Sequence, residues 1–262
     1  MKSKKLPAPN PSNAPTGIEG FDEITRGGLP RGRTTLLEGG AGSGKTIMAL
    51  QTLVHGARDC HEPSIFVAFE ESPDRVVANA ANFGWDLVEL QKKKLFLLDA
   101  QPKPELIHSG SFDLGGMLAA LEGKAREMKA RRIVFDALDV VLAMLREPEA
   151  QRQEVYRLHE WLLAHRLTAI ITAKSGGYEL NAANRPQLGF MQFMVDCAVV
   201  LNHEIVLGVS QRNLCKRRLK SAAGGTLWCG GRKVRHLQFN YGGCLLIWSN
   251  GTRFAAACWS KA

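Results

Sequence analysis

The chain has 262 residues, of which 45 % are hydrophobic and 23 % charged, and it carries a formal net charge of +9. That length and apolar content support one substantial core, such as an α/β domain of about 200–250 residues. No stretch approaches the roughly 18 consecutive apolar residues of a membrane span, and the basic start Met1-Lys2-Ser3-Lys4-Lys5 leads into Pro-rich polar sequence, so neither a membrane anchor nor a secretory signal is expected.

Residues 1–15 hold four prolines and read as a flexible arm. A short helix ending at Gly27-Gly28, then a turn at Pro30-Arg31-Gly32, delivers the chain into an apolar run, Thr34-Thr35-Leu36-Leu37. There follows Gly39-Gly40-Ala41-Gly42-Ser43-Gly44-Lys45-Thr46, a full G-x-x-x-x-G-K-[ST] match placed between a strand and a helix. Such a loop turns consecutive backbone N–H groups onto phosphates at a helix N-terminus. Lys45 is expected to reach the β- and γ-phosphates of a nucleoside triphosphate, and the Thr46 hydroxyl to ligate Mg²⁺. The helix over 45–58 presents Ile47, Leu50, Leu53, Val54 and Ala57 as a stripe for a sheet. Six cysteines (60, 197, 215, 229, 244 and 258) form no C-x-x-C pair, which in this setting predicts reduced thiols and a cytoplasmic location.

A second apolar strand over 64–69 ends in Glu70-Glu71. Ligand sites in parallel sheets lie beyond the strands' C-terminal ends, so both carboxylates are candidates to orient and deprotonate an attacking water. A helix over 73–83, a strand over 94–99, a polar loop over 100–112 and an amphipathic helix over 113–130 come next. Arg131-Arg132-Ile133-Val134-Phe135-Asp136 then has the form of a Walker B strand, making Asp136 the candidate magnesium carboxylate, with Asp139 as a helix cap or surface acid. A helix over 148–165 precedes the strand Thr168–Thr172, whose end, Thr172-Ala173-Lys174, is a place for a γ-phosphate sensor. A loop over 175–188 follows, then two adjacent strands, Val195–Leu201 and Glu204–Val209, with a hairpin turn at Asn202-His203. Strands alternating with helices predict an α/β fold with a mostly parallel central sheet and a C-terminal β-hairpin region.

Beyond the glycine loop, the chain resembles the KaiC-like branch of the RecA superfamily of P-loop ATPases, which includes the bacterial circadian clock protein. The blocks that carry the likeness are Gly20-Phe21-Asp22, Gly27-Gly28-Leu29-Pro30-Arg31-Gly32, Phe66-Val67-Ala68-Phe69-Glu70-Glu71, Asn82-Phe83-Gly84-Trp85-Asp86-Leu87, Leu98-Asp99-Ala100, Phe112-Asp113-Leu114 and the Asp136 strand. The resemblance implies a RecA-like P-loop NTPase, ATP with Mg²⁺ as the cofactors, and self-association into a hexameric ring with the site between subunits. It also implies a signalling or clock-protein partner and a role for Glu70 and Glu71 at the attacking water. The family's clock member has two such domains, and this chain has room for one, over 16–220. Autophosphorylation at the clock protein's Ser-Thr pair is not expected, because Gln192-Phe193 stand there without a hydroxyl. Ser210-Gln211-Arg212-Asn213-Leu214 resembles the family's final strand, after which Arg218 and Lys220 stand at the positions of its basic trans contacts, without the family's glycine.

The net charge belongs to the tail. No Asp or Glu follows Glu204, whereas ten Lys and Arg do, and four of the six cysteines and three of the five tryptophans fall in the last 50 residues. Three readings of 221–262 compete: a basic, aromatic-bearing nucleic-acid surface, a divergent hairpin with Leu245-Leu246-Ile247-Trp248 as an edge strand, or the product of a reading-frame shift. Two alternatives to a ring ATPase in signalling or timing follow: a DNA-dependent RecA/RadA-type motor, and a nucleotide-gated assembly scaffold with little turnover.

Overall fold

The computed structural model describes residues 12–18, 20–102, 114–145, 147–174, 190–206 and 209–220, together with short strands at 226–227, 239–241 and 244–246. A two-stranded entry ladder, β1 (Asn13–Ala14) with β2 (Leu29–Pro30), brackets helix α1 (Phe21–Thr25). The Asp22 carboxylate ties this entry together, accepting from the backbone N–H groups of Thr16 and Gly17 at 3.0 Å each and from the Thr16 hydroxyl at 2.6 Å. Arg26, in the left-handed region at φ 57°, ends α1 just before Gly27-Gly28.

The core then alternates strand and helix. In chain order it comprises β3 (Thr34–Gly39), α2 (Lys45–Asp59), β4 (Ser64–Ala68), α3 (Pro73–Ala81), α4 (Leu87–Gln91) and β5 (Leu95–Asp99). There follow α5 (Leu114–Met128), β6 (Arg132–Asp136), α6 (Leu138–Leu142), α7 (Pro148–His165) and β7 (Thr168–Lys174). The described chain closes with α8 (Met191–Met194), β8 (Cys197–Val206), β9 (Val209–Lys220) and β10 (Thr226–Leu227). One sheet holds eight of these strands in the order β10-β9-β8-β3-β7-β6-β4-β5. The six from β8 to β5 are parallel, and β9 returns antiparallel on β8. This is the α/β, RecA-like P-loop architecture expected from the sequence. A separate hairpin joins β11 (Phe239–Tyr241) and β12 (Cys244–Leu246).

Strands β3, β4 and β6 are buried along their whole length, because helices cover both faces of the sheet. Successive residues feed opposite layers. Ile65, Val67, Ile133 and Phe135 pack with Leu118, Leu121, Leu158 and Leu162 of α5 and α7. Phe66, Ala68 and Val134 pack with Met48, Leu50 and Leu53 of α2 and with Ile18 and Phe21 of the entry segment.

Three details depart from the sequence reading. The hairpin does not turn at Asn202-His203: these residues pair in the ladder with Asn213 and Arg212, and the Val206↔Val209 register moves the reversal to 207–208, outside the described residues. The longer strands gain ladder pairs that a turn at Asn202-His203 would forgo. On α2, Met48 takes the core position read for Ile47, which lines a cleft instead. The helices α4, α6 and α8 are of five, five and four residues, too short for a 3.6-residue period to register. Most of the loops read over 100–112 and 175–188, and most of the tail, Trp248 included, lie outside the described residues.

Arg132, the second residue of the segment read as a Walker B strand, is 1 % exposed at the start of β6. Its Nε donates to Glu62 Oε2 at 2.5 Å, and its Nη1 to the carbonyls of Pro15 at 2.6 Å and Thr52 at 2.9 Å. Glu62 is also paired with Arg31. One guanidinium therefore joins the entry segment, α2 and β6. The guanidinium passes over Gly56, where an added Cβ would stand 2.4 Å from Nε and 2.6 Å from Cδ. Gly56→Ala gains about 1 kcal/mol of helix propensity yet is expected to lower stability by about 1–3 kcal/mol, because Arg132 cannot move without losing its partners. Urea denaturation measures this, and an unchanged or higher midpoint would contradict the packing described.

Candidate functional site

The site forms where β3, β7, β6 and β4 end side by side. Past Gly39 the chain makes a tight loop that needs left-handed backbone at Gly42 (φ 69°) and Gly44 (φ 92°), conformations a side chain would strain. Added Cβ atoms at Gly40 and Gly42 would meet nothing within 4 Å, so both face open space. Lys45 opens α2 and folds back over the loop, its Nζ donating to the carbonyls of Gly39 at 2.8 Å and Gly40 at 2.9 Å. Burial pulls the Lys45 ammonium below its ordinary pKa, against the opposing pull of Asp139 and Asp136.

One residue on, the Thr46 hydroxyl donates to the Asp136 carboxylate, 3.0 Å from Oδ2 and 3.2 Å from Oδ1. Asp136 ends β6 at 4 % exposure. From the adjacent strand end, Thr172 donates its hydroxyl to Asp136 Oδ1 at 2.7 Å while accepting the Ala137 N–H at 2.7 Å. Ala137 holds φ 62°, an unfavourable value for a residue with a Cβ, and its N–H bond to Thr172 helps fix it there. Burial pushes the Asp136 carboxyl above the ordinary carboxylate range, although the Thr172 and Thr46 hydrogen bonds and Lys45 oppose it.

The two glutamates beyond β4 part company. Glu70 lines the cleft, its Oε1 bonded to Lys174 Nζ at 2.9 Å. Glu71 is turned onto α3, where it accepts from Asn79 Nδ2 at 2.9 Å and stands 3.4 Å from Arg75 Nε. The acid read as a helix cap or surface residue, Asp139, sits in the first turn of α6, but it also lines the cleft, and its Oδ1 is buried without a hydrogen-bond partner among the described residues. Burial raises its pKa as well. The signal in the sequence was its place just past the end of the Asp136 strand, where ligand sites gather in a parallel sheet.

Together these groups enclose a cleft of about 450 Å³, lined by residues 41–47 with Glu70, Phe83, Asp139, Thr172 and Lys174. Its donors fit a polyphosphate, with loop amides and two ammonium groups facing a space that no side chain fills. The pairing of a hydroxyl with a carboxylate fits Mg²⁺. Among the described residues no cluster of three or more His, Cys, Asp or Glu could hold a metal ion by itself, so a cation here would need further oxygens from phosphate and water, as Mg²⁺ commonly uses. Arg218 and Lys220 lie elsewhere. The β9 register sets Arg218 opposite Ala198 and Leu219 opposite Cys197, level with the start of β3 and not with Gly39, and their side chains fall outside the described residues.

A glycine loop feeding a helix, with an Asp-ended strand two places away in a parallel sheet, defines a RecA-like P-loop ATPase fold. A sequence model of the family described as "ATPase: KaiC" matches residues 14–223. The chain is 41 % identical over 179 residues to the circadian clock oscillator protein KaiC of Prochlorococcus marinus subsp. pastoris, an overlap of 66 % of this chain and 35 % of that protein. It is 36 % identical over 202 residues to the circadian clock protein KaiC2 of a Synechocystis strain, covering 76 % and 35 %, and 42 % identical over 190 residues to KaiC of Parathermosynechococcus lividus, covering 72 % and 35 %. The chain belongs to the KaiC ATPase family. It spans about a third of the length of the curated relatives it matches. No helix among the described residues is long and apolar enough to cross a membrane.

The pKa shift at Asp136 has a measurable sign. Its folded pKa is raised, so between the unfolded and folded values the folded state holds a proton that the unfolded state has released, and stability falls as pH rises through that window. Asp139 adds in the same direction. In the absence of nucleotide, Asp136→Asn is expected to gain on the parent as pH rises and to lose that advantage below about pH 4, where the unfolded carboxyl is itself protonated. Urea midpoints of both proteins across this range provide the check, and a parent that gains on the variant with rising pH would contradict it.

Proposed function

We propose that the chain is an ATPase domain, residues 16–220, that hydrolyses ATP to ADP and phosphate with Mg²⁺ and acts within an oligomeric ring. The β1–β2 ladder, which takes in residues 13–14 of the segment read as an arm, belongs to the domain, and residues 221–262 form a tail. The observation that carries this reading is the hydrogen bond from Thr46 to the buried Asp136 at the mouth of the glycine loop. When bound, ATP supplies the phosphoryl group and Mg²⁺ the charge that offsets it.

The chain's own residues divide the remaining work. The amides of residues 39–46 and the Lys45 ammonium bind phosphate oxygens. The Thr46 hydroxyl and the Asp136 carboxylate would hold the cation, and Thr172 keeps that carboxylate from rotating. Glu70, at the cleft wall, orients a water and takes its proton. Glu71, held by Asn79 and Arg75, anchors the start of α3 and with it the peptide that carries Glu70. Phosphoryl transfer asks for positioning and electrostatic stabilisation and little covalent chemistry, and this arrangement supplies both.

Arg218 and Lys220, at the far end of the sheet from their own chain's loop, serve a neighbouring subunit's cleft in this reading, which is why a ring is part of the proposal. A cytoplasmic location and a signalling or timing output with a clock-type protein partner complete it. Support for the output is that the relatives named above are circadian clock proteins.

Lys45→Ala is expected to abolish ATP binding in calorimetry. Glu70→Gln is expected to bind Mg-ATP and lose about 10²-fold or more in phosphate release, with a smaller loss for Glu71→Gln. Light scattering on the same samples is expected to show assembly that requires Mg-ATP. A Glu70→Gln variant that turns over like the parent would overturn the assignment of the base.

A further inference from the structure

The ion pair between Lys174 and Glu70 follows from the sheet register. Ala68 of β4 pairs with Asp136 of β6, and Phe135 pairs with Ile171 of β7, which sets Thr172 level with Asp136 on the other side. Glu70 is two residues past Ala68 and Lys174 two residues past Thr172, on the two strands that flank β6. Their side chains therefore converge over the end of β6, above the carboxylate that Thr46 contacts. The Lys174 side chain is 42 % exposed and that of Glu70 52 %, so solvent screens the pair and holds it weakly.

Three features make this pair different from an ordinary surface contact. Both partners line the cleft. The Lys174 backbone also stabilises the Asp139 carboxylate, which lines the same cleft. The Lys45 ammonium faces the same opening and feels the charge of Lys174, so two cations stand across a cavity suited to a polyanion, with Glu70, Asp136 and Asp139 as their interim counter-ions.

We propose that Lys174 distinguishes a triphosphate from a diphosphate at this cleft: it occupies the Glu70 carboxylate until a terminal phosphate draws the ammonium away, and it thereby frees Glu70 for the attacking water. The inference rests on the nucleotide reading above and on Glu70 serving the water, since a lysine bonded to that carboxylate stands beside the phosphate the water attacks. Lys174 acts here as a positioning and specificity residue, and the release of Glu70 couples the arrival of the right nucleotide to the availability of the base.

A double-mutant cycle on binding, not on turnover, tests this. The parent, Lys174→Gln, Glu70→Gln and the double variant are titrated by calorimetry with Mg²⁺ and either adenylyl imidodiphosphate or ADP. Both side chains are half-exposed, so all four proteins are expected to melt alike. Lys174→Gln is expected to weaken the triphosphate analogue about tenfold and ADP by less than about threefold, the size of one lost charge-assisted hydrogen bond. Glu70→Gln is expected to tighten the analogue more when Lys174 is present than when it is replaced, because only then does it release a lysine for the phosphate. The opposite sign of coupling, with Glu70→Gln helping more in the Lys174→Gln background, would mean that Lys174 merely neutralises Glu70 and would overturn the inference. Equal weakening of analogue and ADP by Lys174→Gln would also overturn it. Binding that needs Lys45 but fails these two criteria leaves the nucleotide reading standing, whereas absence of binding in all four proteins would remove both.

Discussion

The hydroxyl of Thr172 stands between the carboxylate of Asp136 and the amide of Ala137, 2.7 Å from each, and the arrangement of the cleft depends on it. A carboxylate at 4 % exposure is costly unless donors surround it, and an alanine at φ 62° persists only if its neighbours hold it. A single side chain from the adjacent strand answers both needs. That is possible because β7 lies between β3 and β6 in the sheet, so that the strand carrying Thr172 separates the strand that feeds the glycine loop from the strand that ends in Asp136.

Helix α2 crosses this strand arrangement and is fixed to β6 at two points. Thr46 bonds the end of β6 through Asp136, and the carbonyl of Thr52 accepts from Arg132 at the strand's start. Six residues of helix rise about 9 Å, against about 13 Å for the four strand steps between Arg132 and Asp136, and the reach of the Arg132 side chain makes up the difference. The glycine at position 56 is the local cost of that crossing, since the guanidinium occupies the space of its missing side chain. The structural core and the cleft thus share one element, and a change at the buried end of β6 is felt at the open end.

Much of this was legible in the sequence, and the parts that were not have a common cause. The glycine loop is a local motif whose geometry is written in eight consecutive residues, and Asp136 follows from a strand that stops at an acid. The strand and helix succession followed from apolar runs of the right length and period. What escaped depends on residues far apart in the chain. Lys174 and Glu70 are separated by 104 positions and meet only because β7 and β4 flank β6. Nothing local marks Arg132 as buried, because its partners, Pro15, Thr52 and Glu62, are brought around it only by the fold. Glu70 and Glu71 are chemically identical and adjacent, and only the backbone beyond β4 turns one to the cleft and the other to Asn79. The hairpin turn was misplaced because Asn202-His203 is a passable turn dipeptide, and the ladder that continues through it is a tertiary preference.

The central claim is that the loop and the Asp136 strand form one site for a magnesium-bound triphosphate. Anomalous scattering from Mn²⁺, in crystals grown with a non-hydrolysable ATP analogue, tests it most directly. A single manganese peak in contact with Thr46 Oγ1 and on the Asp136 side of the cleft, with Lys45 withdrawn from the Gly39 and Gly40 carbonyls, is the result predicted. Analogue bound away from the glycine loop, or manganese with no link to Thr46 and Asp136, would contradict it.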